Sequence, residues 1–387
     1  MARYKGSLGI DALLCTVFTY IIGSLLYLIV VNISILDPFV NAFKDFSYTD
    51  IYYAKGFYAS KPTKDIVLVN IQHADRYKLA QCIGIIKQQQ PAAMGIDVVF
   101  KERKNTFTDS ILKVTLKDSK IANAYYFDQD SVVGNHPYFG LDPKNNAYIN
   151  LDQDKGGAVI RNFTGLKTKD GDTLFSLPAK VALLSGKLTR KQLKPYSEEM
   201  PIQFTGGQDQ FFSFDIDEVL GQKNIPAIKN SIILLGYLGT PTGNPYDIED
   251  KHFTPLNTRY TGRAIPDTYG IVIHANILNM MINKERIVKV NGFVVYTIAF
   301  IATFLMIWLG MSLYRKNQFL YDVSIKVLQF VLAVILLFIS LLLLRNNIYL
   351  NIIPTIAFML LGLEMIDFYI YLVNYVSKHS TWKSRLL

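Results

Sequence analysis

The chain has 387 residues, half of them hydrophobic, and a formal net charge of +9. That excess does not point to nucleic acid, because residues 37–286 hold 30 Lys/Arg against 27 Asp/Glu and most of the surplus flanks apolar runs. Cys15 lies in an apolar run and Cys82 in a helical pattern, so no disulfide framework is expected, and a segment of about 250 residues can bury a core without one.

The first apolar run, "ALLCTVFTYIIGSLLYLIVV" at 12–31, carries no charge and is long enough to cross ~30 Å of hydrocarbon. Arg3 and Lys5 precede it, as in a signal peptide. The run exceeds the ~7–15 residue core of such a signal and no A-x-A site follows, so an uncleaved anchor is expected over 10–36, after a tail at 1–9. The next stretch, "DPFVNAFKDFSYTDIYYAKGF", reads as an aromatic, helical stalk.

From residue 65 the pattern changes. "DIVLVNI" (65–71) reads as a buried strand. "HADRYKLAQCIGIIKQQQ" follows as a helix, with Leu79, Ile83 and Ile86 on one face and Asp75 as N-cap. "AAMGIDVVF" (92–100) and "KIANAYYF" (120–127) are further strands, separated by a helix in "TDSILKVTLKD". This alternation predicts a mainly parallel sheet flanked by helices, an α/β domain over 37–286. The middle is less regular: a strand near 157–162, a helix in "LFSLPAKVALL", a strand at 200–204 and a helix in "DIDEVLG". "SIILLGYL" (231–238) is the last core strand, and a Pro-rich loop runs from 238 to 266. A loop that long is usually functional or covered by a partner.

Three more spans are expected, at 291–314, 322–344 and 347–373, before a tail at 374–387. Four spans place Arg3/Lys5, Arg315/Lys316 and Lys378/Lys383/Arg385 on one side, which the positive-inside rule makes the cytoplasm. Arg345 is the exception. The α/β domain is then extracytoplasmic, with both termini cytoplasmic.

Few constellations carry chemistry. Gly236, Gly239 and Gly243 are followed by a Pro-rich loop rather than a helix, and are read as turns rather than a phosphate cradle. "NLDQDKGG" (150–157) begins like a calcium loop, but its glycine comes late and Arg161 stands where a bidentate Glu is needed. The five histidines show no metal spacing, and no nucleophile elbow, H-E-x-x-H or C-x-x-C occurs. No catalytic residue, metal or cofactor is therefore assigned. Asp97, inside an apolar strand, must be hydrogen-bonded or reach a cleft, where Gln72, His73, Asp75 and Arg76 of the neighbouring strand would join it. A buried ion pair with Arg76 is the structural alternative. In the last span Glu364 and Asp367 are spaced i, i+3, and with Lys326 they are expected to form a polar network near the inner boundary.

"PDTYGIVIHANILNMMINKERIVKV" contains a helix with Asn276, Asn279 and Asn283 on one stripe. His274 points the opposite way, beside Ile271, Leu278 and Met281, and so faces inward. An isolated inward imidazole is read as a hydrogen-bonded core residue, with Asp247 or Thr254 of the long loop as partner. About ten residues separate this helix from the second span, which makes His274 a candidate coupler between loop and membrane.

The stretches "IVLVNIQHADR", "AAMGIDVVF", "YINLDQDKGGAVIRNF", "FFSFDIDEVLG", "SIILLGYLGTPTGNPYDIEDKHFTP" and "YGIVIHANILNMMI" occur in order over 65–283. With the flanking spans they resemble the second CHASE class (CHASE-two) of bacterial extracellular sensory domains, found with cyclases and histidine kinases. The resemblance implies a sensory α/β module between one N-terminal and three C-terminal spans, in the periplasm of a bacterial inner membrane. The positions similar to the family are Asp97, Asp247, Thr254 with Pro255, and His274. Gln72 departs from it, since the family's first strand usually ends in Asp, which weakens a carboxylate pair. About 14 residues follow the last span here, where relatives continue into an output domain.

The expected function is a membrane-anchored extracytoplasmic sensory or accessory protein that is not an enzyme. It would act through another membrane or envelope protein, or as a homo-oligomer, on a small-molecule ligand that the sequence does not name. An envelope enzyme around Asp97, Gln72, Asp247 and His274, and a transport-related membrane subunit, are the alternatives.

Overall fold

The computed structural model describes residues 8–32, 47–58, 63–129, 131–151, 158–222, 224–258, 265–379 and 384. The helices are α1 (Leu8–Asn32), α2 (Tyr48–Ala54), α3 (Arg76–Gln88), α4 (Thr106–Leu116), α5 (Leu177–Leu184), α6 (Arg190–Leu193), α7 (Ile216–Gly221), α8 (Gly270–Ile282), α9 (Gly292–Lys316), α10 (Gln318–Arg345) and α11 (Ile353–His379). The strands are β1 (Thr63–Asn70), β2 (Ala93–Ile96), β3 (Ile121–Asp128), β4 (Ser131–Val133), β5 (Asn146–Tyr148), β6 (Asn162–Phe163), β7 (Leu166–Lys169), β8 (Asp172–Phe175), β9 (Met200–Pro201), β10 (Phe211–Asp215), β11 (Ile232–Gly236), β12 (Lys251–His252), β13 (Thr268–Tyr269), β14 (Val288–Lys289) and β15 (Ile348–Tyr349). They form two compact units, Phe43–Ile287 and Met1–Ala42 with Val288–Leu387.

The first unit is built on a seven-stranded sheet in the order β10–β1–β11–β2–β3–β4, with β5 also paired to β3. Its pairings are parallel except that of β3 with β4. Both faces of the central strands are apolar, because both are covered. Val67, Val69, Ile233, Leu235, Met94 and Ile96 point toward α3, α4 and α7, where they meet Ile83, Leu112 and Ile216. On the other face the helices come close enough to need glycine. A Cβ on Gly95 would stand 2.9 Å from Val181 of α5, and one on Gly236 would stand 2.9 Å from Ile271 of α8. The result is a three-layer α/β/α arrangement.

Several elements differ from the sequence reading. β2 ends at Ile96 rather than at Phe100. Beyond it the backbone finds new partners: Phe100 N–H donates to Asn135 Oδ1 at 2.8 Å, and Phe100 C=O accepts from His136 N–H at 2.7 Å. The strand pairing β1 before α7 is β10, at Phe211–Asp215, whereas 200–204 supplies only the short β9. Near 157–162 the described residues give only the start of β6 and a bridge from Val159 to Phe253. Leu174 and Phe175 belong to β8, so the helix of the middle region begins at Leu177, capped by Ser176. The stalk is described only in part, as α2.

In the second unit α1, α9, α10 and α11 are long and apolar enough to cross a membrane. Small residues let three of them pack closely. A Cβ on Gly23 of α1 would stand 2.7 Å from Phe358 of α11, and one on Gly362 of α11 would stand 2.8 Å from Thr303 of α9. Tyr20 stacks on Phe358 with ring centroids 3.9 Å apart. α11 starts at Ile353, later than the expected 347, because Ile348 and Tyr349 first pair with β14.

Candidate functional site

The C-terminal ends of parallel strands are where ligand sites form in open α/β sheets. β1 ends here in Asn70, whose side chain is fully buried. Its Nδ2 shares its hydrogens among Asp215 Oδ1 (2.9 Å), Gly239 O (2.8 Å) and Thr242 Oγ1 (2.8 Å). Its Oδ1 accepts from the N–H groups of Gln72 (3.0 Å) and Leu238 (2.9 Å). The Thr242 hydroxyl also donates to Asp215. One amide thus ties together the ends of β1, β10 and β11. The sequence reading missed it, and the available signal was a lone amide closing the run "IVLVN".

Past Asn70 the chain turns at Gln72, with φ of 48°, and Asp75 caps α3 by accepting from Lys78 N–H at 2.8 Å. Between this turn and the segment after β2 lies a cleft of about 530 Å³, whose lining includes Ile71, Gln72, Arg76, Phe100, Lys101 and Lys104. That volume lies within the range of small-molecule sites. Arg76 does not pair with Asp97. It donates to Asp109 Oδ1 at 2.5 Å and Glu102 O at 2.6 Å, and lies over Phe100 and Phe139. Burial would raise the Asp109 carboxyl, but Arg76 and the Lys104 N–H hold it below the usual range.

Asp97 belongs to the opposite face. Ile96 and Val98 pack into the core under α3 and α4, so the pleat sends the residue between them the other way. Its N–H donates to Leu235 O at 2.9 Å, which fixes it beside β11. Burial, and then the nearby charge of Asp250, push its carboxyl up to about 8. Asp250 itself adopts φ of 52° and sits 3.8 Å from His252, with both carboxyl oxygens close to Gly270 at the start of α8.

His274, one turn into α8, is 2% exposed, and its Nδ1 has no hydrogen-bond partner among the described residues. Burial lowers its imidazole to about 4, opposed by Asp250, with His252 lowering it further and the Ile149 carbonyl raising it. Its inward orientation is as read from the sequence, but its partners are not Asp247 or Thr254. Asp247 accepts from the Tyr237 hydroxyl and from Thr240 N–H at 3.1 Å, which hold its carboxyl below the usual range. Thr254 exchanges a hydrogen bond with Thr268 at 2.8 Å, next to Asp267, whose carboxyl burial raises to about 6. The long loop is therefore internally braced, and β12 closes it on β13.

The structure thus separates the expected residues into two places. Gln72 and Arg76 line the cleft, with Asp75 capping the helix behind it. Asp97 and His274 both feel the charge of Asp250, and His274 that of His252, two residues which the sequence reading did not single out. Among the described residues no group of three or more His, Cys, Asp or Glu is placed to hold a metal ion. The calcium-loop comparison falls mostly outside the described residues. Asn150, at its edge, pairs with the backbone of Phe127 at 2.7 and 2.9 Å. Arg161 instead forms a buried two-bond pair with Asp50 of α2, at 2.9 and 2.7 Å.

Within the unit of long helices, Lys326 pairs with Glu364, and Gln329 donates to the same carboxylate at 3.3 Å. Asp367 lies one turn further along α11 on the same face. A second polar contact, unread in the sequence, joins the Tyr369 hydroxyl to buried Asp11 of α1 at 3.1 Å.

The CHASE2 domain profile matches residues 27–314, and the chain belongs to this family of sensory domains. The match begins inside α1 and ends inside α9, so it spans the whole α/β unit. No curated protein and no solved structure matches the chain.

Proposed function

We propose that the chain is a membrane-anchored sensory protein of the bacterial envelope, with its α/β unit outside the cytoplasm. It would pass its signal to a separate membrane or envelope partner. The observation that carries this reading is the CHASE2 match itself, which starts and ends within helices of membrane length. The Lys/Arg distribution supports cytoplasmic termini, and the cleft between Gln72 and Phe100 offers room for a small ligand. In this reading the protein senses and does not catalyse. The envelope-enzyme alternative draws on one observation, the perturbed carboxyl of Asp97 beside Asp250. A cellular phenotype that survives Asp97→Asn in a normally folded protein would end it.

Labelling with a membrane-impermeant maleimide tests the placement. A cysteine at exposed Val132 should react in intact cells, and one at Lys378 only after permeabilisation. The reverse pattern would refute the orientation. Gentle solubilisation should bring a companion protein with the chain, and recovery of this chain alone would count against a separate partner.

A further inference from the structure

We propose that the cleft between the turn at Gln72 and the segment after β2 binds a small organic anion, its charged group beside Arg76 and its apolar body on the floor. The inference deepens the sensory reading and rests on it for any role in signalling. The binding itself follows from the side chains that line the cleft.

The floor is apolar, lined by Ile71, Leu79, Val98 and Phe100. Arg76 lines the wall although its side chain is only 10% exposed. Its guanidinium carries five N–H groups. One donates to Asp109 and one to the Glu102 carbonyl, and no other hydrogen bond of this side chain occurs among the described residues. Phe100 and Phe139, with ring centroids 5.7 and 5.5 Å from it, hold the group in place. A fixed, nearly buried donor of this kind is a ready partner for an oxyanion. Gln72 adds an amide to the same lining. Its backbone N–H is held by Asn70, and its side chain makes no hydrogen bond among the described residues.

The sign of the ligand follows from the charges. Lys101 and Lys104 belong to the lining, are exposed, and form no ion pair among the described residues. Glu102 is the one carboxylate of the lining. Asp109 offsets Arg76 from behind, while Asp75 accepts from the Lys78 N–H as the cap of α3 and stands outside the lining. Even with Asp109 counted, the cations Arg76, Lys101 and Lys104 outnumber the carboxylates. An anion is therefore drawn in and a cation repelled. The volume of about 530 Å³ suits a small molecule rather than a folded partner. An inorganic ion alone would leave the apolar floor in contact with water, so the best ligand carries an apolar body as well.

The test uses the full chain in phosphatidylcholine nanodiscs, titrated calorimetrically with 3-phenylpropanoate, with phenyl phosphate and with the neutral isostere 3-phenylpropanamide. Empty nanodiscs give the lipid background. The better anion should bind about tenfold more tightly than the amide, and the preference should shrink as salt is raised. Lys101→Gln and Lys104→Gln should each weaken that anion about threefold, and Glu102→Gln should tighten it by a similar factor. Lys191→Gln, the same charge change on exposed α6 outside the lining, should leave it unchanged. All four side chains are exposed, so these variants keep the fold. Equal binding of anion and amide, no binding of either anion, or anion binding indifferent to Lys101 and Lys104 would overturn the proposal and leave the topology test untouched. Anion binding as expected, with a cellular output that Lys104→Gln does not alter, would count against the sensory reading and leave the site standing.

Discussion

Replacing Asp97 by Asn removes a carboxyl that the fold keeps protonated, and three groups of the α/β unit fix the expected effect. Burial and Asp250 raise Asp97 from 3.8 to about 8, and burial raises Asp267 to about 6. Burial lowers His274 from 6.5 to about 4. A raised carboxyl keeps a proton in the folded state that the unfolded chain has already released, so stability falls as pH rises between the two pKa values. A lowered imidazole acts in reverse: the unfolded chain binds the proton, and stability rises with pH up to 6.5. Below that point the three contributions oppose one another. Between pH 6.5 and 8, of these three, Asp97 differs most between the folded and unfolded chain, as the His274 difference fades above pH 6.5.

The slope in that window is about 1.4 kcal/mol per pH unit. Asp97 is half-ionised at pH 8, so its contribution should fall by about 1.5 kcal/mol from pH 6.5 to pH 8, roughly tenfold in the opening constant. Only at the top of that range is it opposed by Lys180, which burial lowers to about 8. Native-state hydrogen exchange on the full chain in nanodiscs can read this at the amides of β2 and β11, once intrinsic exchange rates are corrected for pH. Asp97→Asn should flatten the dependence and be the more stable form at pH 8. An unchanged slope in the variant would show that Asp97 is ionised in the fold and refute the reasoning.

Arg161→Ala strips the buried Asp50 of a two-bond partner and should cost about 3–5 kcal/mol, seen as faster proteolysis around α2. Arg161→Lys should recover only part, because an ammonium cannot replace the guanidinium fork. Asn70→Ala leaves the N–H groups of Gln72 and Leu238 and the carbonyl of Gly239 without this partner. At about 1–3 kcal/mol for each buried group left unpaired, it should be among the most damaging single changes in thermal melts of the full chain. Gly362→Leu drives a side chain into Thr303 and Ile307, at 2.8 and 3.0 Å, and should spread α9 from α11 in spin-label distance measurements. Gly292→Ala, which meets nothing within 4 Å, should leave those distances unchanged.

Local patterns were legible where local chemistry decides them. The Leu79/Ile83/Ile86 stripe and the Asp75 cap gave α3, and the long apolar runs gave the four long helices. Of the expected Lys326, Glu364 and Asp367 network, the Lys326–Glu364 pair is present, because charges in apolar helices seek each other, while Asp367 makes no hydrogen bond among the described residues. What failed was long-range. Nothing near Asn70 announces that its amide will meet Asp215, 145 residues away, and nothing near Arg161 announces Asp50, 111 residues before it. Such contacts exist only once the strand order is known.

The division of the expected site follows from two such facts, strand order and pleat. Reading β1 and β2 as neighbours placed Gln72, Arg76 and Asp97 on one edge. β11 enters between them, pairing with β1 through Asn70↔Gly236 and with β2 through Leu235↔Ile96. It carries the loop holding Asp247, Asp250 and His252 into that gap. The pleat does the rest. Ile96 and Val98 turn toward α3, so Asp97 turns toward α8 and His274. Adjacent residues therefore serve different places: Val98 lines the cleft, and Asp97 lies toward Asp250 near the start of α8. A one-residue shift of register would exchange those roles. The β11–β2 pairing, with the Asp97 N–H held by Leu235, is thus what keeps the titrating carboxyl and the ligand-sized cleft on opposite faces of one sheet edge.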